Sequence, residues 1–169
     1  LGGVLFASSG VLAACARERP GEAAGILSRD DHTLAEEVAD TLLPPTAASP
    51  GAKAAGVGAT MNLLLTDCSA TDEEQRIVAG LAELRAMCRE RCGDGFASMT
   101  RTGREQMLRE IDAAARTAGD EHWFASLRGL AQQAYFSSEI GMTRALRYVQ
   151  TPGRWVGCVP LEPGQPAWA

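Results

Sequence analysis

Two histidines, five cysteines and 21 acidic residues are the side chains here that could carry chemistry. His32 and His122 stand far apart, each beside acids near the start of an expected helix. A general base needs a reachable partner and a pocket, so both read as surface histidines. Glu36-Glu37 and Glu73-Glu74 are adjacent pairs. Neighbours on a helix point to different parts of its surface, whereas glycoside hydrolysis needs two carboxylates held across a cleft. Helix-start charge complementing the backbone dipole accounts for them. There is no G-x-G-x-x-G, P-loop or G-x-S-x-G motif. Gly56 and Gly58 precede a helix but follow no strand, which argues against a dinucleotide cradle. No residue is assigned to catalysis, cofactor binding or metal ligation.

The cysteines lack the C-x-x-C spacing of redox and zinc sites, and their scatter matches no iron–sulfur pattern. Leu12-Ala13-Ala14-Cys15 matches a bacterial lipobox, which makes Cys15 a lipidation candidate. The alternative is an ordinary signal segment in which Cys15 is incidental. If the chain is exported, Cys68, Cys88, Cys92 and Cys158 are free to form disulfides. A continuous helix from Thr71 to Cys92 would put Cys88 about 25 Å from Thr71, at ~1.5 Å per residue. Cys68 is then too far to reach Cys88 or Cys92, because bridged Cα atoms lie within about 7 Å. The expected arrangement is a Cys88–Cys92 bridge at a frayed helix end, with Cys158 joined to Cys68 or to a partner subunit.

Positioning these groups falls to helices. Ala is plentiful, β-branched runs are scarce, and only 5% of residues are aromatic, which is helical composition. Leu34, Val38 and Leu42 repeat at helical spacing between a capping-box-like Ser28…Asp31 and the stop at Pro44-Pro45. Residues 52–66 read as a softer helix, because Gly56 and Gly58 each weaken it by about 1 kcal/mol against Ala. Thr71 with Glu74 predicts a capping box, followed by an apolar face of Ile77, Leu81, Leu84 and Cys88 up to Gly93. Thr102 with Glu105 predicts another, ahead of Leu108, Ile111 and Ala115 and a stop near Gly119. Asp120 opens the last long helix, with Phe124, Leu127, Ala131 and Ala134 facing inward. Tyr135, Glu139, Met142 and Leu146 then continue one helical face, until Pro152-Gly153 ends it.

The expected fold is all-α: an irregular bundle of about five to six helices with an extended C-terminal tail. Its domain covers residues 28–150 and its tail residues 151–169. One modest core suits 169 residues with 46% hydrophobic content, and a net charge of −5 argues against a nucleic-acid surface. Residues 1–16 are almost uncharged and would span about 24 Å, short of the ~30 Å hydrocarbon thickness. They read as an export signal or anchor, and residues 17–27 as a polar linker.

The end of the chain carries a resemblance. Tyr135-Phe136-Ser137-Ser138-Glu139-Ile140-Gly141, Arg147-Tyr148, and Pro152-Gly153-Arg154-Trp155-Val156-Gly157-Cys158-Val159-Pro160-Leu161 closely resemble the end of the gluconate 2-dehydrogenase subunit 3 family. Upstream, Ala39-Asp40-Thr41-Leu42-Leu43-Pro44, Ser49-Pro50-Gly51-Ala52 and Ala55-Gly56-Val57 extend the resemblance, which covers roughly residues 30–169. It implies a small, flavin-free subunit accompanying a large flavin dehydrogenase of the glucose-methanol-choline type. FAD and the catalytic groups would belong to that partner, which oxidises a sugar, glycoside or sugar acid. Electrons would pass to a c-type cytochrome or a quinone. The small subunit would stabilise the partner and carry it to the periplasm. A twin-arginine route would suit a partner folded around flavin, although residues 1–16 contain no Arg-Arg pair.

Within the motif, Tyr135, Phe136, Glu139, Tyr148, Arg154, Trp155 and Trp168 are candidate partner contacts. Glu139 has a preferred alternative, a buried acid tying the tail to the last helix through backbone N–H groups or Arg154. The tryptophans can equally cap the chain's own core or anchor an interface. The rival reading of the whole chain is a free-standing helical envelope lipoprotein acting as a binding module.

Overall fold

The computed structural model describes residues 25–119, 121–151, 153 and 156–169. The signal segment with Cys15, most of the linker, and Asp120, Arg154 and Trp155 lie outside the described residues. Five α-helices make the body: α1 (Arg29–Leu42), α2 (Val57–Cys68), α3 (Thr71–Cys92), α4 (Arg101–Ala118) and α5 (Trp123–Phe136). A 3-10 turn at Phe96–Ser98 precedes α4, and a π-helical turn at Gly141–Ala145 follows α5. The fold is all-α, and the one β pairing among the described residues is an isolated parallel bridge between Arg147 and Trp168.

The helices begin and end where local chemistry requires. Ser28 Oγ accepts the Asp31 N–H at 3.2 Å and donates to Asp31 Oδ2 at 2.5 Å, capping α1. Leu43 closes α1 by donating to the Ala39 carbonyl, and Pro44-Pro45 cannot extend it. α2 starts at Val57, several residues later than expected. Gly56 adopts a left-handed φ of +67° that only glycine takes at little cost, so residues 52–56 coil as turns. α3 is capped at Ala70 without a side-chain bond, and Thr71 is already helical, so the Thr71–Glu74 box does not form. Asp72, Glu73 and Glu74 in its first turn, and Arg89 and Arg91 in its last, complement the helix dipole instead. The cap of α4 is Thr100, which accepts the Gly103 N–H at 3.2 Å; Thr102 lies within the helix.

α5 packs against all four other helices and is the axis of the core. Phe124, Leu127, Ala131 and Ala134 are buried along it, as the spacing predicts. So are Leu34 and Val38 of α1, Ile77, Leu81, Leu84 and Cys88 of α3, and Leu108, Ile111 and Ala115 of α4. The Trp123 indole lies against Gly80 of α3, so close that a Cβ there would fall 2.1 Å from the ring. Ile26 and Leu27, assigned to the linker by sequence, are docked on α2: Ile26 N–H donates to Thr66 Oγ1 and Leu27 N–H to Asn62 Oδ1.

Ion pairs tie the helices at their edges. Buried Asp31 pairs with Arg85 of α3 at 2.6 Å. Glu37 sits in the middle of α1 and binds both Lys53 and Arg104, so bridging rather than helix-start charge accounts for it. Arg91 meets Glu110 across α3 and α4 at 2.6 Å, and its hydrogen bond holds the Glu110 carboxyl below the usual range. That pair is exposed and screened, so it contributes little to stability.

α5 ends at Phe136, earlier than the periodicity suggests. Ser138 Oγ donates to the Tyr135 carbonyl at 2.6 Å and accepts the Gly141 N–H at 3.0 Å, diverting backbone groups that a continuing helix would use. Tyr135, Glu139, Met142 and Leu146 therefore share no single helical face. Tyr135 is buried and Glu139 is exposed, which corrects the reading of Glu139 as a buried acid.

All four described cysteines are free. The expected Cys88–Cys92 bridge is not formed, nor is Cys158 joined to Cys68. The reason is that α3 stays intact to Cys92, where Gly93 closes it with a left-handed φ of +71° and an N–H bond to Arg89. Cys88 faces the core with Sγ 3.6 Å from Met107 Sδ, while Cys92 is exposed. Burial pushes the Cys88 thiol up, away from the reactive thiolate. A maleimide should therefore label Cys68 and Cys92 quickly in the native protein, and Cys88 on the order of 100-fold more slowly. Peptide mapping reads this directly. Equal labelling of Cys88 and Cys92 would mean that the end of α3 frays.

Candidate partner-binding surface

The motif residues at the end of α5 divide into one that points in and one that points out. Tyr135 is buried, and its hydroxyl donates to the Pro50 carbonyl at 2.7 Å. Ser49 Oγ lies 2.6 Å from the Tyr135 hydroxyl oxygen and supplies the second bond, across 86 sequence positions. Ser49 is held in turn by the tight loop after Pro45, where its N–H donates to Thr46 Oγ1 at 3.1 Å and its carbonyl accepts the Thr46 N–H. This joins two distant pieces of sequence, Ser49-Pro50 and Tyr135-Phe136, into one latch. Among the described residues neither hydroxyl is hydrogen-bonded to a carboxylate or imidazole, and the pair fastens a loop.

Phe136 is exposed next to the latch. Together with Leu42, Leu43, Pro44 and Ala145 it lines a small cavity of about 280 Å³, floored by Ser49 and Tyr135. Gly141 is buried against the end of α5, and a Cβ there would lie 1.9 Å from the Tyr135 carbonyl oxygen. Only a residue without a side chain lets the turn at Gly141–Ala145 fold back this tightly. That turn directs the chain into the tail.

Beyond Ala145 the described residues add nothing to the hydrophobic core. Tyr148, Val149, Val156, Val159, Leu161 and Trp168 are all exposed, Leu161 to 82% of its surface. Trp168 stacks under the Arg147 guanidinium at 4.2 Å from the ring centroid. Of the sequence-assigned contacts, the structure brings Tyr135 and Phe136 together at the latch. It leaves Glu139, Tyr148 and Trp168 on the surface, while Arg154 and Trp155 lie outside the described residues. Sequence reading missed the Tyr135–Ser49 bond and the need for glycine at Gly141. Both Ser49 and Gly141 stood within the recognised stretches, which was the available signal.

A groove of about 710 Å³ runs between α1, α4 and α5 and carries Arg109, Arg116 and Arg128. Each arginine is taken by an acid on the same wall: Arg116 and Arg128 by Asp112, and Arg109 by Glu105. Among the described residues no group of three or more His, Cys, Asp or Glu could hold a metal ion. No described helix is long and apolar enough to cross a membrane.

Fold and surface together define an all-α bundle that seats a latched loop at the end of its central helix. The family model described as gluconate 2-dehydrogenase subunit 3 matches residues 29–153, and the chain belongs to that family. Comparison with curated proteins, and with solved structures, gave no match.

Proposed function

We propose that this chain is the non-catalytic small subunit of an FAD-dependent dehydrogenase acting on a sugar, glycoside or sugar acid. The observation that carries the reading is the tail: a chain of a dehydrogenase-subunit family exposes Val156, Val159, Leu161 and Trp168 on one segment. A Val or Leu moved from water to a buried site contributes about 1.5–3 kcal/mol, and exposed apolar surface of this kind marks sites of association. The partner is the large subunit, which holds FAD and performs the oxidation, passing electrons to a c-type cytochrome or a quinone. The small subunit covers and steadies that partner, and its residues 1–16 direct the pair to the periplasm. The sequence carries no G-x-G-x-x-G, P-loop or G-x-S-x-G motif, and flavin and chemistry are placed in the partner.

Co-expression with the large flavoprotein tests this. The two should elute together, in equal amounts and yellow with flavin. Deleting the residues after Gln150 should abolish co-elution while leaving the helical circular-dichroism signal intact. The small chain alone, given FAD, sugars and an acceptor dye, should stay inert. A chain that elutes by itself beside the flavoprotein, or that turns over substrate unaided, overturns the reading.

A further inference from the structure

We infer that Arg147 and Trp168 form a clasp that closes residues 148–167 into one loop and so pre-organises its apolar side chains for association. The inference rests, in its second half, on the association proposed above. Three contacts build the clasp. Arg147 N–H donates to the Ala167 carbonyl at 2.7 Å, Ala169 N–H donates to the Arg147 carbonyl at 3.3 Å, and the guanidinium lies 4.2 Å over the Trp168 ring. Among the described residues between them, the one backbone hydrogen bond is Gln165 N–H to the Glu162 carbonyl, inside the loop itself. The loop is thus held at its base and nowhere else by backbone pairing that the structure describes.

The residue types suit that task. A planar guanidinium stacks on an indole face, joining dispersion to the attraction between cation and ring quadrupole. The chain preceding Arg147 is itself fixed, because Leu146 N–H bonds the Gly141 carbonyl and Gly141 is wedged against α5. Trp168 therefore docks on a base that the helical body holds still. Closing a loop of this length has an entropic cost that rises only slowly with length. Meeting that cost before the partner arrives removes it from the cost of binding.

The test uses the full chain as wild type, Arg147→Ala, Trp168→Ala and the double variant. Elastase cuts after small aliphatic residues, and the exposed Val156–Gly157 bond inside the loop is a site for it. Cleavage of a transiently open segment follows the open population. Losing an exposed cation–π contact should therefore speed release of the C-terminal fragment about two- to five-fold. Because the two side chains act on each other, the double variant should be cut no faster than the faster single variant. The helical melting temperature should not change. An unaltered cleavage rate in Arg147→Ala, or a double variant whose acceleration is the product of the two singles, overturns the clasp.

The second arm measures binding to the flavoprotein. Binding follows the closed population whereas cleavage follows the open one, so Arg147→Ala should weaken binding by the factor by which the closed population falls, even though Trp168 is still present to touch a partner. Binding that stays constant while the closed population falls refutes pre-organisation while leaving the clasp. A wild-type chain that does not bind refutes the association itself, and the cleavage rates still decide the clasp.

Discussion

Gly141→Ala is expected to lower stability by about 3 kcal/mol, at the upper end of what forcing one extra carbon into a packed site usually costs. The added Cβ would lie 1.9 Å from the Tyr135 carbonyl oxygen, 2.7 Å from its carbon and 3.0 Å from Phe136 Cα. All three are backbone atoms at the end of the central helix, so none can swing aside as a side-chain tip would. The turn at Gly141–Ala145 must instead lift away, breaking the Gly141 N–H bond to Ser138 Oγ and uncovering Tyr135. The intrinsic helical advantage of Ala over Gly, about 1 kcal/mol, does not offset this. At about 2–4 °C per kcal/mol for a domain of this size, the melting temperature should fall by roughly 10 °C. Binding to the partner should weaken as well, because the turn aims the tail. A variant that melts within experimental error of wild type would mean that the turn relaxes freely and that its close approach to α5 is not needed.

Gly80→Ala is the second large effect, and its sign is expected to reverse with the residue at position 123. Gly80 lies in the middle of α3, where alanine would ordinarily stabilise by about 1 kcal/mol. Here its Cβ would fall 2.1 Å from two atoms of the Trp123 indole and 2.7 Å from a third. Trp123 is buried at the first turn of α5, stacked on His122 and edge-on to Phe124, so its ring has little room to retreat. His122 fixes that turn from outside by accepting the Phe124 N–H on Nδ1 at 3.2 Å. The substitution should therefore destabilise by about 2 kcal/mol in the wild-type background. Trp123→Ala alone should cost about 3–5 kcal/mol through the cavity it leaves. In that background the clash is gone, and Gly80→Ala should become neutral or stabilising. Chemical denaturation of the four proteins gives the cycle. Additive effects would mean that ring and glycine do not bear on each other.

Much of the bundle was legible without coordinates, for reasons that are local. The inward faces of α1, α3, α4 and α5 follow from apolar residues at helical spacing, since a helix buries one stripe whatever it packs against. Their ends at Pro44-Pro45, Gly93 and Gly119 follow from a ring that cannot continue a helix and from residues free to take positive φ. The caps of α3 and α4 slipped by one or two positions. A threonine three residues before a glutamate shows that a cap is chemically available, while the backbone angles of the folded chain select the residue that takes the role.

What the tertiary structure alone decided are the contacts between distant parts of the chain. Cys88 and Cys92 stand one helical turn apart, yet Cys88 lies in the core against Met107 of α4 while Cys92 is exposed, and the Gly93 cap ends α3. Periodicity would carry α5 on through Glu139, and Ser138 together with the close approach of Gly141 to Tyr135 stops it. Ser49 meets Tyr135 across 86 positions, and Arg147 meets Trp168 through a loop with no regular pattern. Short-range spacing records which face of an element is apolar. Pairings between remote residues depend on how all the faces are buried at once, and that is settled only when the chain is closed around its core.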